Sequence, residues 1–455
     1  MSSEPQWRSV VDLLIPHPTQ RQVLVQQIGE QWRLPNAPID QVWDGPIGQI
    51  NAAMQQHYGL ATTVVRRLAE HNDDTRHLNF HLYLLEIDSA SWPKGDNLCW
   101  LDLTALDQVV LAHPEQMRVI ERYCQEIESG IIPARRARWE QPGWLQPTVA
   151  WIQQQLTALG NPATGPVEQV KQWFLSAILR VPTAQGWVYF KASNGSSLMV
   201  NEARLTQRLA KVFPAVMPQP LAIDAERDWS LLADFGPEIG WGAPVETREA
   251  ALIAFAQLQI ASASQVDDLL AHGCIDRRLP NLAAEIAPLL NDPRMMALIE
   301  PAQQQSLLAA APRLVELCQQ MATYNVPATL VHGDLHMSNI AHNTDHLGAD
   351  HSGEQFVFFD WSDACIAHPF LDMIAILHEK EPALQSRLRD AYLALWTSYE
   401  PMERLLELWQ LAYPLCALHQ AVSYRYIAHH VESSGNHPML AWAMPFWFGK
   451  ILEAV

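Results

Sequence analysis

The sequence predicts an α+β fold in which a short, strand-rich region precedes a long and mostly helical one. Residues 166–236 contain apolar, β-branched and aromatic runs such as Val188–Ala192, separated by turn residues. Residues 237–455 carry apolar side chains at helical spacing, as in Glu249–Ser262. Residues 1–140 mix the two patterns and therefore predict a separate α+β accessory domain.

Individual elements of the accessory domain can be predicted from a few runs. Val23–Gln27 and Leu78–Leu85 are typical of strands. Gln49–Tyr58 is typical of a helix closed by the glycine that follows it. Thr104–Ser129 predicts helix on both sides of Pro114, which divides it.

The accessory domain faintly resembles a Nudix domain. The resemblance rests on the order of Trp32–Pro35, then Gly45 through Leu60, then Cys99–Leu101. Gln49–Leu60 contains no Glu, whereas a Nudix hydrolase needs a cluster of carboxylates there for its metal. The resemblance therefore implies a hydrolytically dead domain that acts in packing, dimerisation or regulation. An unrelated α+β accessory domain is an equally good interpretation.

A linker with a helix is predicted over residues 141–165. Arg135–Arg138 precede it, and an arginine run beside a linker is typical of a solvated surface rather than an anion site. Pro147–Leu159 predicts the helix, and the prolines and glycines of Gly160–Pro166 predict a turn after it. The strand-rich region begins at this turn.

Length and composition indicate a folded, cytoplasmic protein. At 455 residues the chain is too long for one ordinary core, and 49% hydrophobic with 17% charged residues indicates folded structure throughout. The N-terminus lacks the apolar core of a signal peptide, and the apolar stretch Met439–Leu452 is too short to span a bilayer. Six cysteines without paired spacing are typical of reduced thiols. We therefore expect no membrane partner.

The net charge restricts the partners that the protein is expected to have. A formal charge of −19 argues against nucleic acid as a main partner. It is compatible with a cationic small substrate, because a cleft lined by carboxylates attracts amines. Solubility alone explains an acidic chain at least as well. The oligomeric state is left open by the sequence.

One motif carries most of the functional information. The run from Val331 to Asn339 places a carboxylate, Asp334, five residues before a carboxamide. A second carboxylate, Asp360, follows the strongly apolar run Phe356–Phe359. Phosphoryl transfer from a nucleotide requires such a set: a base beside the accepting hydroxyl, and two oxygen ligands that hold Mg²⁺ against the phosphates.

The pattern His-x-Asp-x-x-x-x-Asn resembles the catalytic loop of the aminoglycoside phosphotransferase family, which includes choline-kinase-like enzymes. The resemblance implies a bilobal, protein-kinase-like fold with a small β-rich lobe and a large helical lobe. It also implies that Asp334 is the catalytic base and that His332 braces its loop. Asn339 and Asp360 would bind Mg²⁺. Gly333 stands where protein kinases have Arg, so a small-molecule acceptor is expected.

The family resemblance also implies a nucleotide site, occupied by ATP or another nucleoside triphosphate. Lys191, in a β-rich run, and Glu202, in a helix-like run, are the implied pair that anchors the α- and β-phosphates. The backbone of Ala233, Asp234 and Phe235, where an apolar strand breaks at a glycine, would bond the adenine.

One feature of the family is absent from the nucleotide site. The stretch Gln172–Arg180, where a small-residue phosphate loop is expected, contains no glycine. Ser176 is the residue in this stretch that we expect to donate a hydrogen bond to a phosphate. The bulky loop counts against tight nucleotide binding, and it keeps a non-catalytic role open.

The sequence as a whole predicts an ATP- and Mg²⁺-dependent phosphotransferase acting on a hydroxyl of a small molecule, such as an aminoglycoside or an amino alcohol. The alternative is a catalytically weak or inactive kinase-fold protein that senses a nucleotide or another ligand. By the same resemblance, Asp372 organises the catalytic loop. The C-terminal helices are expected to hold the acceptor pocket, with candidate contacts Asp363, Glu379, His419, Tyr424 and Tyr426.

Overall fold

The computed structural model describes residues 7–37, 39, 46–87, 97–194, 200–342, 356–432 and 438–455. The chain forms two compact units. The first comprises Met1–Asn194 with Val431–Gly435, and the second comprises Gly195–His430 with Asn436–Val455. Both units contain helices and strands, so the predicted α+β class is confirmed. The domain limits at residues 140, 165 and 236 stay a prediction.

The first unit consists of two four-stranded sheets, three antiparallel strands and the helices that pack on them. The sheets are ordered β4-β1-β6-β5 and β7-β2-β3-β8, and β9, β10 and β11 follow one another in antiparallel pairs. The described elements are β1 (Arg8–Leu14), β2 (Gln22–Ile28), β3 (Gln31–Arg33), β4 (Asn36–Ala37), α1 (Ile47–Tyr58), β5 (Thr62–Asp73), β6 (Leu78–Ile87), β7 (Leu98–Asp102), β8 (Val109–Val110), α2 (Gln116–Ser129), α3 (Leu145–Ala158), β9 (Glu168–Gln172), β10 (Ser176–Thr183) and β11 (Gly186–Ser193).

Strand β6 is buried on both faces, which explains its nearly continuous apolar sequence. Side chains alternate between the two faces of a strand, so Tyr83 and Leu85 enter one core together with residues of α1. Leu82 and Leu84 enter a second core that includes Ile120 of α2. Its sheet therefore lies between two helices.

Most elements predicted for this part of the chain are confirmed. The two predicted strands correspond to β2 and β6, and two of the predicted helices correspond to α1 and α3. Helix α1 ends at Gly59, whose φ of 67° is the left-handed conformation that glycine adopts at little cost. Gly45, which contributed to the Nudix resemblance, lies outside the described residues.

One prediction in the first unit is wrong: the chain before Pro114 is not an α-helix. The Asp102 carboxylate accepts a hydrogen bond from the Thr104 N–H at 2.9 Å and starts only a short 3₁₀ segment, Leu103–Gln108. Val109–Val110 then pairs with β3 as strand β8. Two adjacent β-branched residues favour this pairing over continuation of the helix.

The second unit is largely helical, with short strands that carry its loops. Its described elements are α4 (Glu202–Val212), β12 (Pro220–Asp224), β13 (Trp229–Ala233), α5 (Val245–Ser262), α6 (Val266–Ala271), β14 (Ile275–Asp276), α7 (Leu279–Leu290), α8 (Pro293–Met296), α9 (Pro301–Met321), β15 (Thr329–Val331), β16 (Ile340–His342), β17 (Phe356–Phe358), β18 (Cys365–Ala367), α10 (Ile374–Leu377), α11 (Pro382–Ala394), α12 (Met402–His430) and α13 (Pro438–Ala454). The helices predicted from Glu202, Glu249, Trp409 and Met439 onward are confirmed as α4, α5, α12 and α13.

The short strands of the second unit are anchored in its hydrophobic core. β18 pairs with β15 in antiparallel and with β14 in parallel orientation, and β16 pairs with β17 as a hairpin. These strands share one continuous core with α5, α9, α12 and α13. The loops that leave the strands therefore start from rigid positions.

Two chemical properties of the chain bear on its setting. Over the residues with a described structure, no helix is both long enough and apolar enough to cross a membrane. All six cysteines belong to the described part and are free thiols.

Candidate active site

The loop between β15 and β16 carries Asp334, whose side chain is 48% exposed. The loop begins after Val331, in a strand paired with β18, and ends where Ile340 starts the strand paired with β17. Both ends are thus fixed by the core, while the carboxylate reaches solvent. We refer to residues 332–339 as the catalytic loop, the role that the family resemblance implies for them.

Gly333 allows the catalytic loop to approach the loop after Asp360. Its φ is +85°, and a Cβ atom there would lie 2.3 Å from the carbonyl oxygen of Asp363. No other residue type fits without moving one loop away from the other. The Gly333 carbonyl also accepts a hydrogen bond from the Gln420 side chain at 2.6 Å, which attaches the loop to α12.

Asp372 organises the catalytic loop, as the family resemblance implied. Its Oδ2 accepts a hydrogen bond from the His332 N–H at 2.5 Å, and its Oδ1 accepts one from the Gly333 N–H at 2.9 Å. The carboxyl group is buried, and this burial raises its pKa from 3.8 to about 7, although the two N–H donors oppose the rise. A buried carboxylate can hold two adjacent amides because it offers acceptors only.

His332 joins the catalytic loop to the loop after β17. Its Nε2 lies 2.8 Å from the Phe359 carbonyl oxygen, so Nε2 carries the proton and donates it. Its Nδ1 is then the acceptor for the Asp334 N–H, at 3.4 Å. The imidazole packs on the buried Trp361 ring, with 4.6 Å between centroids.

Asn339 is bonded to Asp334 and to Phe359, the residue before Asp360. Its side-chain Nδ2 donates to the main-chain carbonyl oxygen of Asp334 at 2.9 Å. Its main-chain carbonyl oxygen accepts from the Phe359 N–H at 3.1 Å. Pairing of Ile340 with Phe358 places Asn339 beside the chain that leads into Asp360. Because the amide nitrogen is engaged, Oδ1 is the atom of this side chain that can bind a cation.

Asp360 has a backbone conformation that is uncommon for a residue with a side chain. Its φ and ψ of 67° and 59° are left-handed, and such strain concentrates at functional sites. The Ser362 hydroxyl donates to Asp360 Oδ1 and to Asp363 Oδ2, each at 3.3 Å.

The oxygen donors of Asn339 and Asp360 are of the kind that Mg²⁺ prefers. Among the residues whose structure is described, no three or more His, Cys, Asp or Glu side chains are arranged to hold a metal. Asn339 and Asp360 offer one amide oxygen and one carboxylate. Mg²⁺ is commonly bound by one or two protein oxygens, with phosphates and waters completing its octahedron.

The predicted hinge lies next to the loop that contains Asp360. The aromatic rings of Phe235 and Phe359 are 5.0 Å apart. Gly236 has a φ of +94°, and its N–H donates to Asp234 Oδ1 at 3.0 Å. The chain then runs along β16, where the Ile239 N–H donates to the Ile340 carbonyl at 2.9 Å.

The remaining nucleotide-site predictions are divided between the two units. Ser176 begins β10 and is buried, and its Oγ accepts a hydrogen bond from the Trp173 indole at 2.8 Å. Lys191 lies on β11, opposite Ile178. Glu202 belongs to the second unit, where it is the buried first residue of α4. The Lys191–Glu202 pair stays a prediction.

Two of the five candidate acceptor contacts lie near Asp334. Burial raises the pKa of the Tyr424 hydroxyl, and the negative charges of Asp334 and Asp363 raise it further, which places all three groups in one environment. The other three candidates make contacts within the fold. These contacts are an ion pair of Glu379 with Arg248, burial of His419 against Arg277 and Cys365, and a hydrogen bond from Tyr426 to Glu285.

Sequence reasoning missed an aromatic group beside Asp334. His336 Nε2 is 3.7 Å from Asp334 Oδ2, and the ring stacks on Trp241 with 5.7 Å between centroids. Trp241 is 46% exposed, and its ring also contacts that of His378, which in turn contacts Phe446 of α13. We call Trp241, His336, His378 and Phe446 the aromatic wall. The position of His336 two residues after Asp334 was a usable signal, whereas nothing in the sequence pointed to Trp241.

A family model accounts for the part of the chain that contains these loops. Residues 169–408, more than half of the 455 residues, match the model described as the phosphotransferase enzyme family, APH. The match does not reach the accessory domain, whose Nudix resemblance stays a prediction. No curated protein sequence matches the chain significantly.

Several solved structures are similar to this chain at low sequence identity. An APH(2″) enzyme in complex with GDP and kanamycin is 12% identical, with a TM-score of 0.49 and coverage of 68% of this chain and 100% of that chain. A macrolide 2′-phosphotransferase from Brachybacterium faecium is 15% identical, with a TM-score of 0.42 and coverage of 66% of this chain and 98% of that chain. An ethanolamine kinase from Plasmodium vivax is 12% identical, with a TM-score of 0.44 and coverage of 63% of this chain and 84% of that chain.

Proposed function

This chain belongs to the phosphotransferase enzyme family, and on that premise we propose that it transfers the terminal phosphoryl group of MgATP, or of another Mg²⁺-nucleoside triphosphate, to a hydroxyl of a small molecule. One observation carries the proposal. The loop that presents Asp334 is bonded through Asn339 to the strand end that leads into Asp360. A base and two metal-binding oxygens are thereby held together, as phosphoryl transfer requires.

In the proposed reaction the acceptor oxygen forms a bond to the terminal phosphorus, and the bond from that phosphorus to the bridging oxygen breaks. The nucleoside diphosphate leaves, and the proton of the acceptor hydroxyl passes to Asp334. His332 and Asp372 keep the Asp334 loop in place. Mg²⁺ bound by Asn339 and Asp360 would neutralise charge on the phosphates.

The nucleotide itself would be held by the residues that the family resemblance implies. Lys191, supported by Glu202, would contact the α- and β-phosphates, and the Ser176 hydroxyl would donate to a phosphate oxygen. The backbone of residues 233–235 would bond the base. A cytoplasmic location, where nucleoside triphosphates are available, agrees with the six free cysteines.

The surroundings of Asp334 favour an acceptor with a cationic or flat apolar group beside its hydroxyl. The carboxylates of Asp334 and Asp363 attract cations, and the exposed face of Trp241 offers cation–π or stacking contact. The solved structures similar to this chain include a kanamycin complex and an ethanolamine kinase. Amino alcohols and aminoglycosides are therefore the first acceptor classes to test.

The direct test is turnover with defined substrates. The wild-type protein is incubated with MgATP or MgGTP and a panel of amino alcohols, aminoglycosides and macrolides, and phosphorylated product is detected by ³¹P NMR. The proposal expects product with at least one acceptor, and turnover by Asp334→Asn that is lower by about 10²–10⁴-fold. Nucleotide binding without product from any hydroxyl compound would instead favour the ligand-sensing alternative, which the glycine-free stretch Gln172–Arg180 supports.

A further inference from the structure

The tip of the β9–β10 hairpin, where a phosphate loop is expected, consists of Trp173, Phe174 and Leu175. The Trp173 N–H donates to the Ser176 carbonyl at 3.0 Å, and the Asn194 N–H donates to the Leu175 carbonyl at 3.2 Å. Without glycine the tip cannot adopt the tight backbone shapes by which phosphate loops approach their ligand. Its shape must therefore be fixed by neighbouring groups.

A chain of two indole hydrogen bonds reaches the tip from the segment that precedes α3. The indole Nε1 of Trp139, a residue only 4% exposed, donates to the Trp173 carbonyl oxygen at 2.6 Å. The indole of Trp173 in turn donates to the Ser176 hydroxyl oxygen at 2.8 Å. A hydroxyl that accepts a bond keeps its own hydrogen for donation. The two indoles thus set the direction in which Ser176 can donate.

A β-bulge gives the hairpin a second attachment. Gln169 and Gln172 are three residues apart, so regular alternation would place their side chains on opposite faces of β9. The register shifts between Ile178 and Leu179 of β10, where Val170 is the extra residue on β9. The bulge cancels the alternation, and both amides face the same neighbour.

That neighbour is β5, the edge strand of the sheet β4-β1-β6-β5, which we call the accessory sheet. Gln169 Oε1 accepts from the Val64 N–H at 2.9 Å and from Asn51 Nδ2 at 3.0 Å, while its Nε2 donates to the Val64 carbonyl at 2.9 Å. An edge strand leaves main-chain groups in need of partners, and here an amide side chain serves as one. Gln169 also donates to Gln172 Oε1 at 2.9 Å, which uses its full hydrogen-bonding capacity.

Gln172 connects this attachment to the indole chain. Its Nε2 donates to the Trp139 carbonyl oxygen at 3.0 Å and to the Val65 carbonyl oxygen. Trp139 is therefore held through its main chain by Gln172 while its side chain holds Trp173. The contacts form one continuous network from β5 to the Ser176 hydroxyl.

Building on the proposed function, we infer that Trp139 and Gln172 are positioning residues for the nucleotide phosphates. They fix Trp173, and through it the Ser176 hydroxyl, so that residues contacting the accessory sheet replace the missing glycines of the phosphate loop. Trp139 lies outside the family match at residues 169–408, so the network depends on a residue that precedes the family segment.

The first test removes one hydrogen bond and keeps the ring. Trp139→Phe loses the indole N–H, and one neutral hydrogen bond corresponds to roughly a fivefold rise in nucleotide KM. The kcat should stay within about twofold, because Asp334 and its loop are untouched. Trp187→Phe is the matched control, since Trp187 lies on β11 and packs on Arg180 instead of the tip. Gln172→Leu is the second variant, and it should raise the nucleotide KM in the same way.

A double-mutant cycle separates positioning from general loss of stability. Ser176→Ala removes the hydroxyl on which Trp139 acts, so Trp139→Phe should have little further effect in the Ser176→Ala background. Ser176→Thr, which keeps a hydroxyl, should restore the sensitivity to Trp139→Phe. Effects that multiply in the double variant would overturn the inference, as would an unchanged nucleotide KM in Trp139→Phe.

Titration calorimetry of the full-length wild-type chain with MgATP and MgGTP distinguishes this inference from the proposed function. No nucleotide binding by the wild type would refute the proposed function itself. Tight wild-type binding with equal affinity in Trp139→Phe would refute only the positioning role. Thermal melts of each variant show whether a folded protein is being compared.

Discussion

The catalytic loop and the tip of the β9–β10 hairpin are both held by side chains that bond to main-chain groups, but they differ in chemistry. Asp372 holds the amides of His332 and Gly333 with a buried carboxyl group. Trp139 and Gln172 hold the hairpin with neutral N–H groups. The carboxyl group titrates and the neutral N–H groups do not, so the two supports should respond differently to pH.

The two regions also differ in where their support comes from. Asp372 and the catalytic loop both lie within the segment that matches the family, residues 169–408. The hairpin belongs to that segment, but Trp139 and the β5 strand precede it. Asp372 therefore supports the catalytic loop from within the family segment, and Gln420 of α12 adds a bond from beyond it. The proposed phosphate-binding tip instead depends on Trp139 and β5, which precede the segment.

The largest effect is expected from a substitution in the catalytic loop, which should change kcat and leave nucleotide binding at the hairpin unchanged. Asp334→Asn should lower kcat by about 10²–10⁴-fold, because the variant cannot receive the acceptor proton. The nucleotide Kd should hardly change, since the hairpin and hinge are intact. Steady-state kinetics and titration calorimetry measure the two quantities. A comparable loss in both would mean that Asp334 contributes to nucleotide binding and that the separation is wrong.

The pH dependence of stability should differ between the two supports. Asp372 has a pKa of about 7 in the folded protein, against 3.8 without burial. Its protonation therefore adds to the free energy of unfolding in full below pH 3.8, and this addition is lost as the pH rises through about 7. The unfolding free energy of the wild type relative to Asp372→Asn should therefore fall between these values, by at most about 1.4 kcal/mol per pH unit.

Urea unfolding of both proteins at pH 4.5, 6 and 7.5 measures this difference. Trp139→Phe provides the contrast, because neither the indole nor the carbonyl it contacts titrates, and its stability cost should not vary with pH. A wild-type advantage over Asp372→Asn that grew with pH would contradict the assigned direction of the pKa shift.

A smaller effect is expected where the metal is proposed to bind. Asp360→Ala should weaken Mg²⁺-nucleotide binding by about tenfold or more, because it removes one of only two proposed protein ligands. Binding of the nucleotide measured without Mg²⁺ is the control and should change little. An Asp360→Ala variant that kept Mg²⁺-dependent affinity but lost turnover would move Asp360 from metal binding to another role.

The smallest effect is expected at the aromatic wall. Trp241→Ala should raise the KM of a cationic or flat acceptor by about two- to fivefold, as loss of an exposed cation–π contact implies, with kcat and nucleotide KM unchanged. Leu308→Ala, which shortens another exposed apolar side chain, on α9, is the control. An unchanged acceptor KM would exclude Trp241 from the acceptor site.

Sequence reasoning recovered the features that depend on local pattern. The motif around Asp334 identified the family correctly, and the match to residues 169–408 confirms that resemblance. The runs Val23–Gln27 and Leu78–Leu85 identified two strands, and apolar spacing identified helices such as α5. The role of Asp372 followed from the family. The prediction of a helix before Pro114 was wrong because Val109–Val110 forms a two-residue strand, and its pairing with the distant strand β3 cannot be read from local sequence.

The features that the sequence did not reveal depend on tertiary geometry. Regular alternation places Gln169 and Gln172 on opposite faces of a strand, and only the bulge at Val170 turns them to one side. Trp241 is far from Asp334 in the chain and is brought near it by the pairing of residues 237–240 with β16. Neither juxtaposition can be read from spacing alone.

The convergence of Asp334, Asn339 and Asp360 on one Mg²⁺-nucleotide is tested most directly by a crystal structure with Mn²⁺ and a non-hydrolysable nucleoside triphosphate analogue. The anomalous signal of Mn²⁺ locates the metal without ambiguity. We predict one peak about 2.1–2.2 Å from Asn339 Oδ1 and an Asp360 carboxylate oxygen, with the terminal phosphate facing Asp334. A metal and phosphate bound elsewhere, contacting neither residue, would contradict the proposed site.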